Sequence, residues 1–295
     1  MADFCQDQAA GLRRLFGHDQ LRVIAFASGS AGAGKTSIVA NVAVALARQG
    51  REVLVVDENQ GPHDVGGFFG LHPQGDLLQV LNRQRSLGHV LFSPVSGVSV
   101  LPAGRAARQL GSLTAAQQHA MVEGVNSLEH PADVILVDTC NDHAHGFSPW
   151  GLAAGETVMV VSGNGASITD SYALIKKVSL AFSRRHFRIL VNRVKSMAEG
   201  SVIHDNLHKV AAQRGIAQLE YGGAIPLDGA LRQVGQLCQP IVASLPDSPA
   251  AIALRDFATE LLAWPNAEYE QGGVEHFIQQ LLHLSHRLSP SVLLA

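Results

Sequence analysis

The sequence predicts an α/β fold built as a doubly wound, mostly parallel sheet. Three observations point to it. Short, β-branched apolar runs alternate with stretches of helical spacing along most of the 295 residues. The first run leads directly into a glycine-rich loop and then a helix. Two later runs end in aspartate, the place where parallel sheets of this kind bind ligands.

Residues 1–20 carry a short helical pattern ahead of the sheet. LRVIAFA (21–27), EVLVVD (52–57), VSVLPA (98–103), DVILVD (133–138), ETVMVVS (156–162) and FRILVN (187–192) then read as strands. Each run is continuous rather than alternating, as expected of strands covered on both faces. Between them, 35–50, 114–130 and 168–182 have helical spacing. Residues 265–273 are a polar linker, and 274–295 form an amphipathic helix and tail. In that helix Val274, Phe277, Ile278, Leu281, Leu282 and Leu288 fall on one stripe. Such a stripe suits either a membrane surface or the protein's own core. The division is therefore an N-terminal element (1–20), a central domain (21–264), a linker and a C-terminal helix.

Composition narrows the function classes. Hydrophobic residues at 46% and charged residues at 16% describe a globular chain. Cys5, Cys140 and Cys238 form no C-x-x-C pair, so no disulfide framework, zinc or iron-sulfur site is signalled. The 14 histidines offer no trusted ligand spacing, and His63, His143 and His145 read as loop residues. A net charge of −3 gives no basis for strong nucleic-acid binding. The Arg184, Arg185, His186 and Arg188 cluster reads as a solvated helix end. The N-terminus has acids where a secretory signal needs a basic start, so the expected location is cytoplasmic.

The stretch ASGSAGAGKTS (27–37) fits G-x-x-x-x-G-K-[ST] through Gly29, Gly34, Lys35 and Thr36. Ser30, Ala31, Gly32 and Ala33 complete the loop, whose backbone N–H groups can turn toward phosphates, and Ser37 follows in the first helical turn. Lys35 is placed to reach the β- and γ-phosphates and Thr36 to hold Mg²⁺. Asp57 and Asp138, at strand ends facing the same crevice, are candidates for the water shell of that Mg²⁺; capping a strand-to-loop turn is the alternative for either. Lys35, Asp57 and Asp138 are also the catalytic candidates. The expected cofactors are ATP and Mg²⁺.

ASGSAGAGKTS with VLVVDEN and VILVDTCND resembles the MinD/ParA class of P-loop ATPases, over residues 21–263. LVNRV (190–194) is similar to that class's N-R strand end, which implies that Asn192, with Arg193 beside it, reads adenine. IPLDGALRQVG (225–235) resembles an I-P-x-D-x-x-L-R segment near the adenine pocket and places Pro226 there. DQAAGLRRL (7–15) and ASITDSYALIK (166–176) resemble elements of the flagellar number regulators FlhG and FleN. That likeness implies that Asp7, Gln8, Leu12 and Arg13 engage a signal-recognition-particle-type GTPase of the FlhF kind. It also implies an ATP-bridged homodimer, peripheral contact of the C-terminal helix with the inner face of the cell membrane, and a transcription regulator or basal-body protein as a further partner class.

The departures are as specific. The class carries a first lysine that reaches the partner's phosphates; here Ser30 occupies that place and Ala31 replaces the next glycine. Asp57-Glu58-Asn59 puts an amide where the class's second acid orients water, and Thr139-Cys140-Asn141-Asp142 lacks the glycines of its second switch. Gly-rich 61–70 reads as the first switch. ATP binding is thus better supported than turnover. A non-hydrolysing scaffold and a ParA-like partitioning ATPase are the competing functions.

Overall fold

The computed structural model describes residues 21–61, 63–127, 132–141, 147–265 and 273–287. The chain runs β1 (Arg22–Ala27), α1 (Lys35–Arg48), β2 (Val53–Asp57), α2 (Val65–Phe68), α3 (Leu77–Leu81), α4 (Leu87–Val90), β3 (Phe92–Val95), β4 (Val98–Pro102) and α5 (Gly104–Ala107). A 3-10 turn (Leu110–Ser112), α6 (Ala115–Asn126), β5 (Val134–Asp138), α7 (Pro149–Ala153), β6 (Glu156–Ser162), α8 (Gly165–Phe182) and β7 (His186–Val194) follow. The remainder is α9 (Met197–Gln213), β8 (Gln218–Pro226), α10 (Gly229–Gln236), α11 (Ile241–Ser244), α12 (Pro249–Ala263) and α13 (Gly273–Arg287).

Among the described residues one sheet has the order β3-β4-β2-β5-β1-β6-β7-β8, parallel except where β3 meets β4. All six expected strands are present, and the fold class is the predicted one. β3 and β8 are additional edge strands. β8 reads QLEYGGAIP, and its Gly222-Gly223 pair interrupts the apolar signal by which strands are recognised. Helix ends follow local chemistry. Thr114 and Gln117 form a capping box ahead of α6, and Asn164 caps α8, which therefore starts three residues before the helical spacing expected from 168.

The sheet separates two apolar layers. Ile38, Val42, Leu254 and Phe257 of α1 and α12 pack with Ile24, Phe26 and Val55 on one face. Trp150, Ile175 and Met121 of α7, α8 and α6 pack with Val23, Ala25 and Ile135 on the other. α13 belongs to this second layer. Phe277, Ile278 and Leu281 are buried in it, against α7, the 3-10 turn and α6, and the Phe277 and Trp150 rings lie 5.8 Å apart. The apolar stripe of the C-terminal helix thus faces the protein's own core in this structure. No helix among the described residues is long and apolar enough to cross a membrane.

Candidate nucleotide-binding site

Chain geometry makes the loop. β1 ends at Ala27, and the chain turns through Gly32 and Gly34, at φ 75 and 93, before α1 starts at Lys35. Those angles favour glycine. Gly29 is fixed by space instead: a Cβ there would lie 2.2 Å from the backbone of Asp170 and Ser171 in α8. No side chain caps α1, so its first N–H groups are left for an anion at the positive end of the helix. Ala31 and Gly32 are exposed at the crevice, while Ser30, Gly34, Thr36 and Ser37 are half-buried.

The ends of β2 and β5 supply acids to the same crevice. Their register sets Asp57 directly beside Asp138. Asp138 is fully buried and pairs with the ammonium of Lys35, itself 6% exposed. Thr36 Oγ1 donates to Asp138 Oδ2 at 2.7 Å, and Asn59 Nδ2 donates to the same oxygen at 2.8 Å. Asn59 also donates through N and Nδ2 to Asp57 Oδ1 (2.9 and 3.0 Å), and Val65 N donates to Asp57 Oδ2 at 2.6 Å. Burial, and then the charge of Asp138, raise the Asp57 carboxyl to about 7 against the pull of these donors. Lys35, Thr36, Asp57, Asn59 and Asp138 form one connected network.

That donor set fits Mg²⁺. Two adjacent carboxylates and a hydroxyl are hard oxygen donors, few enough for an ion that keeps several waters. Burial is the larger cause of the rise in Asp57, and the Asp138 charge that adds to it is what a divalent cation would offset. No cluster of three or more His, Cys, Asp or Glu suited to a metal occurs among the described residues, and His63 is simply exposed.

Asn192 lies against the loop: its Nδ2 donates to Ala33 O at 2.8 Å and its Oδ1 accepts from Arg193 N at 2.9 Å. A Cβ on Gly34 would come within 2.3 Å of that Nδ2, so Asn192 braces the turn as well as sitting at its edge. Arg193 is exposed with φ 61, and Pro226 pairs with Val194 at the end of β8, next to Asn192. Asp7, Gln8, Leu12 and Arg13, with His143 and His145, lie outside the described residues.

Sequence reasoning missed Glu58. It is 1% exposed, its carboxylate accepts from Cys140 N at 2.9 Å, and its Oε1 has no hydrogen-bond partner. Burial is the largest effect on it and raises its carboxyl to about 7, although the Ser148 hydroxyl, Cys140 N–H and Lys35 favour the charged form. An acid between Asp57 and Asn59 gives no sign in sequence that it turns inward. It lies one residue past β2, held there by its N–H, which donates to Asp138 O at 3.1 Å.

Residues 24–236 match the CobQ/CobB/MinD/ParA nucleotide binding domain. The chain belongs to the MinD/ParA family. Within that family it is 31% identical over 262 residues to the antiactivator FleN of Pseudomonas aeruginosa, covering 89% of this chain and 94% of FleN. It is 30% identical over 217 residues to the flagellum site-determining protein YlxH of Helicobacter pylori, covering 72% of each. Its fold matches the Aquifex aeolicus MinC:MinD cell division complex with a TM-score of 0.62 at 25% identity, over 83% of this chain and 98% of that chain.

Proposed function

We propose that this MinD/ParA protein is an ATP-binding switch that regulates flagellar number and placement. The observation that carries the reading is the convergence of Lys35, Thr36, Asp57 and Asp138 on the uncapped start of α1. The relationship to FleN and YlxH supports the flagellar context. Backbone N–H groups of residues 29–34 hold phosphates, and Lys35 exchanges Asp138 for the β- and γ-phosphates. Thr36, Asp57 and Asp138 hold Mg²⁺ directly or through its waters, while Ser37 completes the cradle. Asn192, Arg193 and Pro226 border the adenine. Mg²⁺, when bound, would supply positive charge that offsets that of the phosphates.

The rest of the cycle follows from this reading. ATP bridges two copies, and α13 leaves α7 to contact the inner face of the cell membrane. Residues 7–15, through Asp7, Gln8, Leu12 and Arg13, stimulate an FlhF-type GTPase, and a transcription regulator or basal-body protein is a further partner. Hydrolysis is slow, because Ser30 supplies no cation across the dimer and Asn59 is occupied in holding Asp57 and Asp138. Calorimetry on Lys35→Ala tests the core of the proposal. ATP affinity should fall below detection, and unchanged affinity would show that the loop is no phosphate cradle.

A further inference from the structure

Helix α9 and edge strand β8 share a polar cluster that the proposed nucleotide site does not use. Its centre is a backbone carbonyl. Gln218 N donates to Arg185 O at 2.7 Å on the β7 side, so the next residue, Leu219, turns its carbonyl to the open edge of the sheet. Two imidazoles of α9 meet it there: His204 Nε2 lies 3.1 Å and His208 Nδ1 2.9 Å from Leu219 O. The His204 side chain is only 12% exposed and lies beside the Tyr221 ring, 5.3 Å away, while His208 is exposed. HDNLH (204–208) sets the pair at i and i+4 on one helix face, a spacing at which two imidazoles can share one ion.

One proton per ring does not satisfy this cluster. A neutral imidazole carries a single N–H. His204 faces an acceptor at each nitrogen, Leu219 O at Nε2 and Asp205 Oδ1 at Nδ1, both at 3.1 Å. A proton on Nδ1 serves the carboxylate and leaves the Nε2 lone pair against the carbonyl oxygen. A proton on Nε2 leaves the carboxylate against a bare Nδ1. A cation held by Nε2 resolves the conflict, because the single proton then goes to Asp205, the carboxylate–histidine–metal arrangement of natural sites. The spacing suits it as well. Ligand atoms at right angles on bonds of about 2.1 Å lie about 3.0 Å apart, close to both N···O separations here.

We infer that His204, His208 and Leu219 O form a binding site for a divalent transition metal such as Zn²⁺, with Asp205 orienting His204. Two imidazoles and a carbonyl select an ion of this borderline class over Mg²⁺. The ion joins α9 to the edge strand at the opposite end of β8 from Pro226, and its remaining positions open to solvent beside the exposed His208. The site is independent of the nucleotide reading.

Calorimetric titration of Zn²⁺ into the full-length protein, stripped with a chelator and held in excess Mg²⁺, tests the site. Mg²⁺ fills hard-oxygen sites and competes poorly for imidazole. His208→Gln should weaken the strongest Zn²⁺ binding event by more than about tenfold, and Asp205→Asn, which removes no ligand, by about tenfold. Zn²⁺ should raise the thermal midpoint of the wild type and leave that of folded His208→Gln unmoved. Electron paramagnetic resonance of bound Cu²⁺ should show coupling to both imidazoles in the wild type and to one after the His208 change. Equal Zn²⁺ affinity in the wild type and His208→Gln would overturn the inference, and so would Cu²⁺ coupled to a single imidazole in the wild type; the cluster would then be a doubly protonated His204 capping the strand edge. Wild-type affinity in Asp205→Asn would overturn the orienting role given to Asp205.

Discussion

At the C-terminal ends of β1, β2 and β5 the buried groups are polar or charged and their contacts are directional: Lys35 on Asp138, Asn59 between two carboxylates, Val65 N on Asp57. Under α13, on the other layer, the buried groups are Phe277, Ile278 and Leu281 against Trp150 and the 3-10 turn. Both regions are closed by the protein itself. They are opened by different agents, however. A charged network yields to a ligand that offers stronger partners to the same atoms, which in the proposed site would be phosphate for Lys35 and a cation for the acids. An apolar seam yields only to another apolar surface of similar area. In the proposed cycle, nucleotide chemistry acts on the first region and a lipid surface on the second.

The largest expected effect lies in the charged network. Loss of one well-placed cation or water-orienting group in phosphoryl transfer costs on the order of 10³ in rate. Ser30→Lys alone should recover little ATP turnover, because Asn59 still gives its hydrogens to Asp57 and Asp138. Asn59→Asp alone adds a third carboxylate with no hydrogens to give. The double variant should therefore exceed the product of the two single effects in steady-state phosphate release. Wild-type turnover equal to that of a relative with both lysines would show that some other cation serves the site.

Next comes the apolar seam. Phe277→Ala removes a buried ring against Trp150 and should cost about 3 kcal/mol or more if α13 is docked in solution. Thermal unfolding measures that cost, and vesicle co-sedimentation measures its counterpart. The same change should also weaken lipid binding, since one stripe serves both surfaces. An unchanged melting temperature would break the comparison by showing that the seam is not closed in the free protein.

The two regions were unequally legible in the sequence. ASGSAGAGKTS fixes glycine, lysine and threonine at spacings that only a phosphate loop needs, and the aspartates ending EVLVVD and DVILVD announce strand ends. The loop and both acids could be located because their chemistry is local in the chain. Glu58 was not legible, since its burial depends on Cys140 and Ser148 more than 80 residues away. Nor was the destination of α13: an amphipathic stripe records that an apolar face exists and says nothing of what covers it. β8 was hidden by its glycine pair.

The last effect, read as a slope and not as an offset, is a pH dependence confined to the charged region, and it sharpens the comparison most. Glu58 rises from 4.5 to about 7 in the folded protein through burial, and Asp57 from 3.8 to about 7 through burial and then Asp138. Between the unfolded and folded values the native state holds protons that the unfolded chain has released. Stability from these groups is fully present below about pH 4 and is lost as pH rises toward 7, with a slope of at most about 1.4 kcal/mol per pH unit for each group. Glu58→Gln retains an oxygen for Cys140 N and cannot ionise. It should match the wild type near pH 4, flatten the fall in thermal stability between pH 5 and 7, and leave the variant more stable than the wild type at pH 8. Mg²⁺ with ATP should flatten the Asp57 share of the remaining slope, because a cation stabilises its charged form. Phe277→Ala should lower the whole curve without changing its shape, since no titrating group of the network touches that seam. A Glu58→Gln curve parallel to the wild type at every pH would mean that Glu58 ionises in the fold as it does in water, and the buried environment assigned to it here would be wrong.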